Sequence, residues 1–301
     1  MYRLRSTRQT QGLFRALLLA QYNAGMGFHP SRQILMPAVN LPRLRIQSSK
    51  LMDRFDDPNG FIRELHNLLD SYADRTIRPS AITSPIMVLP SYRVPAAVLR
   101  QFETDLGHRA QNDYAQTITL ADKLWDDGYF ESRSLAAYLL GLIAPTDEGY
   151  LNRLNSWVAE TREPNVNKKL LSTSMAKLRK EEPELYLSEI ERWSQPSEKK
   201  MWNSVISGLL PLLKDKDFHN LPTIFKIITP IVESAPATMQ INLSVLICAL
   251  YESSPTETTY FMKHLLTLST NPHTLTNIRR IFTSLPELLQ YDLRDRVRVP
   301  K

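Results

Sequence analysis

Apolar residues recur at helical spacing through most of this chain. The clearest stretch is residues 121–145, ADKLWDDGYFESRSLAAYLLGLIAP, in which Leu124, Trp125, Leu135, Ala136, Leu139, Leu140, Leu142 and Ile143 form apolar stripes interrupted by Asp126-Asp127-Gly128. Two helices joined by a tight turn are predicted there. Glu131 falls just inside the second of them, where a carboxylate offsets the positive end of the helix dipole. Upstream, Phe61, Leu65, Leu68, Leu69 and Tyr72 are spaced for one buried helix face after the start signal Asp57-Pro58. The connection Arg78 to Pro95 holds Pro79, Pro85, Pro90 and Pro95 and is expected to be extended. Further helices are predicted near 96–106, 112–126, 129–144, 147–161, 165–180, 183–194, 197–213, 218–233, 237–252, 256–269 and 274–290. Pro145, Pro164, Pro183, Pro196, Pro236, Pro255 and Pro272 fall near their boundaries, while prolines 211, 222, 230 and 286 inside helical runs predict kinks or breaks. No alternating strand pattern stands out.

Taken pairwise, these helices give units of about 35 to 40 residues, the period of HEAT and armadillo arrays. A single unit cannot bury its own apolar face, so neighbours must stack. The predicted fold is therefore all-α, a right-handed superhelical solenoid of HEAT/armadillo-like helix pairs whose second helices line a concave surface.

Composition, with 43% hydrophobic and 23% charged residues in 301, is ordinary for a cored protein. No run of about 18 apolar residues is present, so no membrane partner is expected. The one cysteine, Cys248, lies in an apolar run and reads as a small buried hydrophobe, and it excludes an intrachain disulfide. Net charge is +6, but residues 1–52 hold seven Arg, Lys50 and no acid, which leaves 29 basic against 31 acidic residues in 53–301. The expected organisation is a basic extension over 1–52 and a helical repeat domain over 53–301. Three readings of the extension stand: a stretch upstream of a true start at Met52 or a disordered tail, an Arg-rich import leader, and a DNA-contacting basic arm. A cytoplasmic location is expected, with organelle import left open by the leader.

Basic pairs recur in the predicted second helices: Lys168-Lys169, Lys199-Lys200 and Arg279-Arg280, with Arg133 early in the helix after Gly128. Stacked units bring equivalent positions into line, so these cations form a candidate ladder for a phosphate backbone, whose neutralisation releases counterions. The plainer alternative is a set of solvated charges on exposed turns. Trp125, Trp157, Trp193 and Trp202 lie on apolar stripes and are expected in the core, with Trp202 placed to shift toward the groove beside Asn203. The six His show no HExxH spacing and no partner Cys, and GxGxxG, GxxxxGK[ST] and GxSxG elements are missing. No metal and no cofactor is expected.

Leu124-Trp125, the acidic turn, Glu131 and Ala136 together resemble the DNA alkylation repair proteins of the HEAT-like repeat class, the alkylpurine DNA glycosylases. Tyr92-Arg93-Val94-Pro95 with Leu99-Arg100 resembles that family's Gly-Val-x-x-Pro-x-x-Arg element, with Arg93 where the glycine stands and a shorter spacing. Glu182-Pro183-Glu184-Leu185 with Trp193 resembles its Pro-Glu-Leu helix. The likeness spans about residues 60 to 290.

The resemblance implies double-stranded DNA, intact or damaged, as partner. It also implies a catalytic Trp-x-x-x-Asp element and an Arg on the next second helix. Counted from Pro183, those positions fall on Pro164, Lys168 and Asn203, and none matches. Glu163 is the nearest carboxylate. An ammonium at the carboxylate position repels a developing oxocarbenium, whereas Lys168 and Asn203 suit a phosphate. The leading expectation is a DNA-binding protein of the alkylation-repair class that contacts the duplex backbone through Arg133, Lys168, Lys169, Lys199, Lys200, Asn203, Arg279 and Arg280 without base excision. The alternatives are an active glycosylase using Glu163 as a displaced carboxylate, and a scaffold holding a protein partner along the groove.

Overall fold

Short polar side chains and prolines set where the helices begin. Asn40, Asp57, Asp113 and Asn220 each accept a hydrogen bond from a backbone N–H of the first turn that follows. Prolines open several other helices, where a missing N–H costs nothing. The computed structural model describes residues 39–75, 88–111, 113–215 and 217–297. Its helices are α1 (Leu41–Met52), α2 (Pro58–Ser71), α3 (Ala96–Ala110), α4 (Tyr114–Asp126), α5 (Phe130–Leu142), α6 (Tyr150–Glu160), α7 (Pro164–Lys169), α8 (Ala176–Glu181), α9 (Pro183–Ser194), α10 (Trp202–Lys214), α11 (Leu221–Ser234), α12 (Gln240–Ser253), α13 (Pro255–Leu268), α14 (His273–Ile281) and α15 (Glu287–Val297). No strand occurs among the described residues. The chain is an all-α solenoid of helix pairs.

Second helices stack side by side in the order α3, α5, α7, α10, α12, α14, and first helices flank them. Hydrogen bonds between units repeat at nearly constant sequence separation. Ser174 Oγ donates to Ala137 O, Ser204 Oγ to Asn167 Oδ1, and Asn242 Nδ2 to Asn203 Oδ1, at separations of 37, 37 and 39 residues. First helices repeat too: Tyr150 donates to Ser174 O and Tyr186 to Gly208 O, both in the core. Burial pushes the Tyr186 phenol up to about 12, so it acts as a neutral donor.

Between α7 and α8 the helix widens into a π turn over Leu170–Ser174, closed by Met175 N to Leu170 O at 3.0 Å. The helix predicted over 165–180 is therefore interrupted. At that turn α5 comes so close that a Cβ on Gly141 would stand 2.6 Å from the Thr173 carbonyl, and only glycine fits. Of the interior prolines, Pro211 and Pro230 are absorbed inside α10 and α11, Pro222 opens α11, and Pro286 marks the break between α14 and α15. The single helix predicted over 274–290 is thus two.

The expected boundary at residue 53 runs just after helix α1. Helix α1 lies within the expected extension, yet it packs on α2 and α3 with Leu44, Ser48 and Leu51 fully buried. Tyr72 donates to Gln47 Oε1 at 2.6 Å. Arg43, Arg45 and Lys50 occupy its exposed face, so a basic composition accompanies an ordinary amphipathic helix. The rest of the extension, 1–38, and residues 76–87 of the proline-rich connection lie outside the described residues.

Replacing Leu44 or Leu51 by Ala should lower the unfolding free energy by about 2–5 kcal/mol in urea titrations, as for other buried Leu. A midpoint unchanged from wild type would return α1 to the status of a tail.

Candidate nucleic-acid interface

Carboxylates are unevenly divided along the second-helix layer, and they are scarce on α7 and α10. The second-helix segments 165–180, 202–214 and 240–251 contain no Asp or Glu, and α14 contains none either. Other acids of the second-helix layer are Glu103 and Asp105 on α3, Glu131 on α5, Glu181 at the end of α8 and Glu252 near the end of α12. First helices carry Asp122 and Asp126 on α4, Glu160 on α6, and Glu184, Glu189 and Glu191 on α9. Exposed positions around α7 and α10 include Asn165, Lys168, Ser172, Asn203, Ser207 and Lys214, while α12 exposes Asn242, the apolar Ile241 and, near its C-terminal end, Glu252. Bonds Asn167–Ser204 and Asn203–Asn242 lie next to these positions and hold them level across three helices.

The predicted ladder residues divide into two groups. Lys168, Lys199, Lys200, Asn203 and Arg280 are exposed. Lys199 lies 5.7 Å over the Trp202 ring, Asn203 Oδ1 accepts from Asn242, and Arg280 Nη1 donates to Asn277 Oδ1 at 3.2 Å. Three others are committed inside the fold. Arg133 is only 13% exposed and donates to Glu160 Oε1 (2.7 Å) and to Trp125 O (3.2 Å). Its guanidinium also covers the Trp125 ring, which stacks on Trp157 at 4.4 Å. Lys169 pairs with Glu103, and Arg279 Nε donates to Val297 O at 2.9 Å. Adjacent residues on a helix point about 100° apart, so a Lys-Lys pair presents one cation outward and turns the other aside. Lys199 and Lys200 lie in a 3₁₀ turn (Pro196–Met201), and Arg279 and Arg280 lie in the last turn of α14, where the dipole favours them.

Two carboxylates sit at the starts of second helices, and both are buried. Glu163, the residue preceding α7, is 2% exposed and its Oε2 accepts from the Val88 N–H at 3.0 Å. Glu131, in the first turn of α5, is 1% exposed; its Oε1 accepts from Ser91 Oγ (2.8 Å) and from the Arg93 N–H (2.9 Å). Together they pin residues 88–93 across the N-terminal ends of α5 and α7. The Phe130 N–H donates to Pro90 O at 2.9 Å, adding a third tie. Beside it, His66 spans the Tyr92 hydroxyl and Asp127, each at 2.9 Å, and Ser132 Oγ donates to the other Asp127 oxygen at 2.5 Å. Tyr92 stacks on Tyr129 with ring centroids 5.3 Å apart. These acids anchor backbone, and neither lies open to a ligand.

The tryptophans are structural. Trp202 is fully buried, with Nε1 donating to Ser194 O and Gln195 O, so it does not reach the surface beside Asn203. Trp193 Nε1 donates to Asn155 Oδ1, and Trp125 Nε1 to Glu160 Oε2. Cys248 is partly buried, with Sγ 3.4 Å from Ser284 O. Burial and, secondarily, Glu252 push its thiol up to about 11, so it is no thiolate nucleophile at neutral pH. Sequence reasoning overlooked Asn242, which the offset from Asn203 points to, and Arg93, marked by standing where the resembled element has glycine.

Residues 68–290 match the family model described as DNA alkylation repair enzyme. Neither a search of curated proteins nor one of solved structures returned a match.

Glu131→Ala should cost about 1–3 kcal/mol by leaving the Arg93 N–H and the Ser91 hydroxyl without their acceptor. Denaturant titration together with faster hydrogen exchange at Arg93 and nearby amides tests this. Unchanged exchange would show that Glu131 does not hold the segment.

Proposed function

The chain belongs to the DNA alkylation repair enzyme family, and from that premise we propose that it binds duplex DNA along its second helices without excising a base. The observation that carries this reading is the row of exposed donors on α7 and the first two turns of α10, where those helices hold no acid. A surface meeting a polyanion favours donors over carboxylates, and the exposed faces of α7 and α10 offer Asn165, Lys168, Ser172, Asn203 and Ser207, with Lys214 at the far end of α10 beside the exposed Asp215. Lys199 and Lys200 extend the row just ahead of α10. Lysines supply the attraction and the counterion release. Asn and Ser supply neutral donors to phosphate oxygens and fix register without reading bases. Helix N-termini at one edge of the row add positive potential.

Base excision of the family type calls for an accessible carboxylate beside the departing base. Position 168 is a lysine, and the flanking acids Glu163 and Glu131 are buried and spend an oxygen on backbone N–H groups. An ammonium at the sugar would oppose positive charge developing there, and each 1.4 kcal/mol is about tenfold in rate. Contact with the duplex through its backbone fits this arrangement.

Binding to a short duplex, intact or carrying an abasic mimic, should weaken steeply with salt. The full chain and residues 39–301 should behave alike, which separates the row from the arginines of 1–38. Replacing Lys168, Lys199 and Lys200 together by Ala should flatten the log–log salt slope by about 0.9 for each phosphate no longer neutralised. Binding by the full chain alone, or a slope unmoved by the triple replacement, would refute the row as the interface. In a base-release assay on alkylated duplex no product above background is expected, and release at enzymatic rates would sink the non-catalytic reading.

A further inference from the structure

We propose that Arg93 is a further phosphate-contacting residue, carrying the donor row past α7 to the otherwise closed surface of α5; this rests on the DNA-binding reading above. Arg93 is the one non-glycine residue with positive φ among the described residues, at 55°. That conformation strains any residue with a Cβ, and glycine would occupy it freely. The chain therefore keeps a strained arginine where a smaller residue would serve the backbone better, and strain of this kind points toward a use for the side chain.

Its surroundings indicate which use. The Arg93 N–H donates to Glu131 Oε1 at 2.9 Å and lies 3.0 Å from Ser91 Oγ, which donates to the same oxygen. Tyr92, the preceding residue, is held by His66 and by the Tyr129 ring. The backbone that carries Arg93 is thus fixed from both sides. The side chain is exposed and forms no ion pair with any described residue, even though Glu131 Oε2 is buried without a partner nearby. Carrying a cation beside the positive end of α5 gains nothing for folding.

Position completes the case. Glu131 and Glu163 tie residues 88–93 across the N-terminal ends of α5 and α7, the helix that carries Lys168. Arg93, tied to Glu131, therefore stands at the N-terminal edge of α5, one helix further along the array from Lys168. Helix α5 itself offers no free cation there, because Arg133 is committed to Glu160 and Trp125. A guanidinium presented on a fixed backbone suits bidentate contact with the two free oxygens of a phosphodiester. The fixed backbone adds no further ordering on binding, so only the side chain's own rotamer freedom is given up.

Salt-series binding to the duplex, paired with thermal melts of the same preparations, tests this in the full chain with Arg93→Gly and Arg93→Lys. Arg93→Gly should melt higher than wild type yet bind several-fold more weakly, with a salt slope smaller by about 0.9. Arg93→Lys should keep a slope near wild type while losing part of the affinity. Wild-type affinity and slope in Arg93→Gly, alongside weakened binding by Lys168→Ala, would overturn the role of Arg93 and leave the DNA reading standing. Absence of salt-sensitive binding in the wild-type chain would overturn both.

Discussion

Everything in this molecule depends on the constant offset at which one second helix packs on the next. Ser174 to Ala137, Asn167 to Ser204 and Asn203 to Asn242 keep that offset at 37 to 39 residues across four helices. The close approach at Gly141 and the π turn beside it belong to the same packing. Because the helices are stacked in register, a residue's place within its unit decides whether it is buried or presented. A position that is apolar in one unit and polar in the next therefore changes the surface locally and leaves the core intact.

Charge acquires its meaning from this layering. The net +6 of the whole chain says little, since acids and bases nearly balance beyond residue 52. Their distribution says more: the second helices from α7 onward carry almost none of the carboxylates. The two acids that do stand at second-helix starts, Glu131 and Glu163, are withdrawn from solvent to hold the segment 88–93. A scaffold whose relatives by family act on alkylated DNA thus uses its carboxylates as architecture. What α7 and the first turns of α10 leave outward is mainly amides, hydroxyls and ammonium groups.

Hairpins, the repeat length and most helix ends were legible in the sequence, because stripes such as Leu135, Leu139 and Leu142 are local signals and the prolines fall at boundaries. Helix α1 was hidden by its composition. Its three buried positions, Leu44, Ser48 and Leu51, include a serine, and the basic residues around them read as a leader. The π turn after Lys169 left no trace in the spacing. Candidate site residues were harder, since exposure depends on partners from other units: Glu160 takes Arg133 and Glu103 takes Lys169. Two signals lay in plain view. Tyr150 and Tyr186, like Trp157 and Trp193, are 36 residues apart, and the scarcity of acids on α7 and α10 can be counted directly.

Lysine reactivity, read by mass spectrometry after brief acetylation with and without duplex DNA, tests the central claim most directly. Lys226 and Lys263, on first helices α11 and α13, serve as internal controls. The account predicts that DNA protects Lys168, Lys199, Lys200 and Lys214 while Lys226 and Lys263 react as before. Equal protection of both sets, or protection confined to the first-helix lysines, would contradict it.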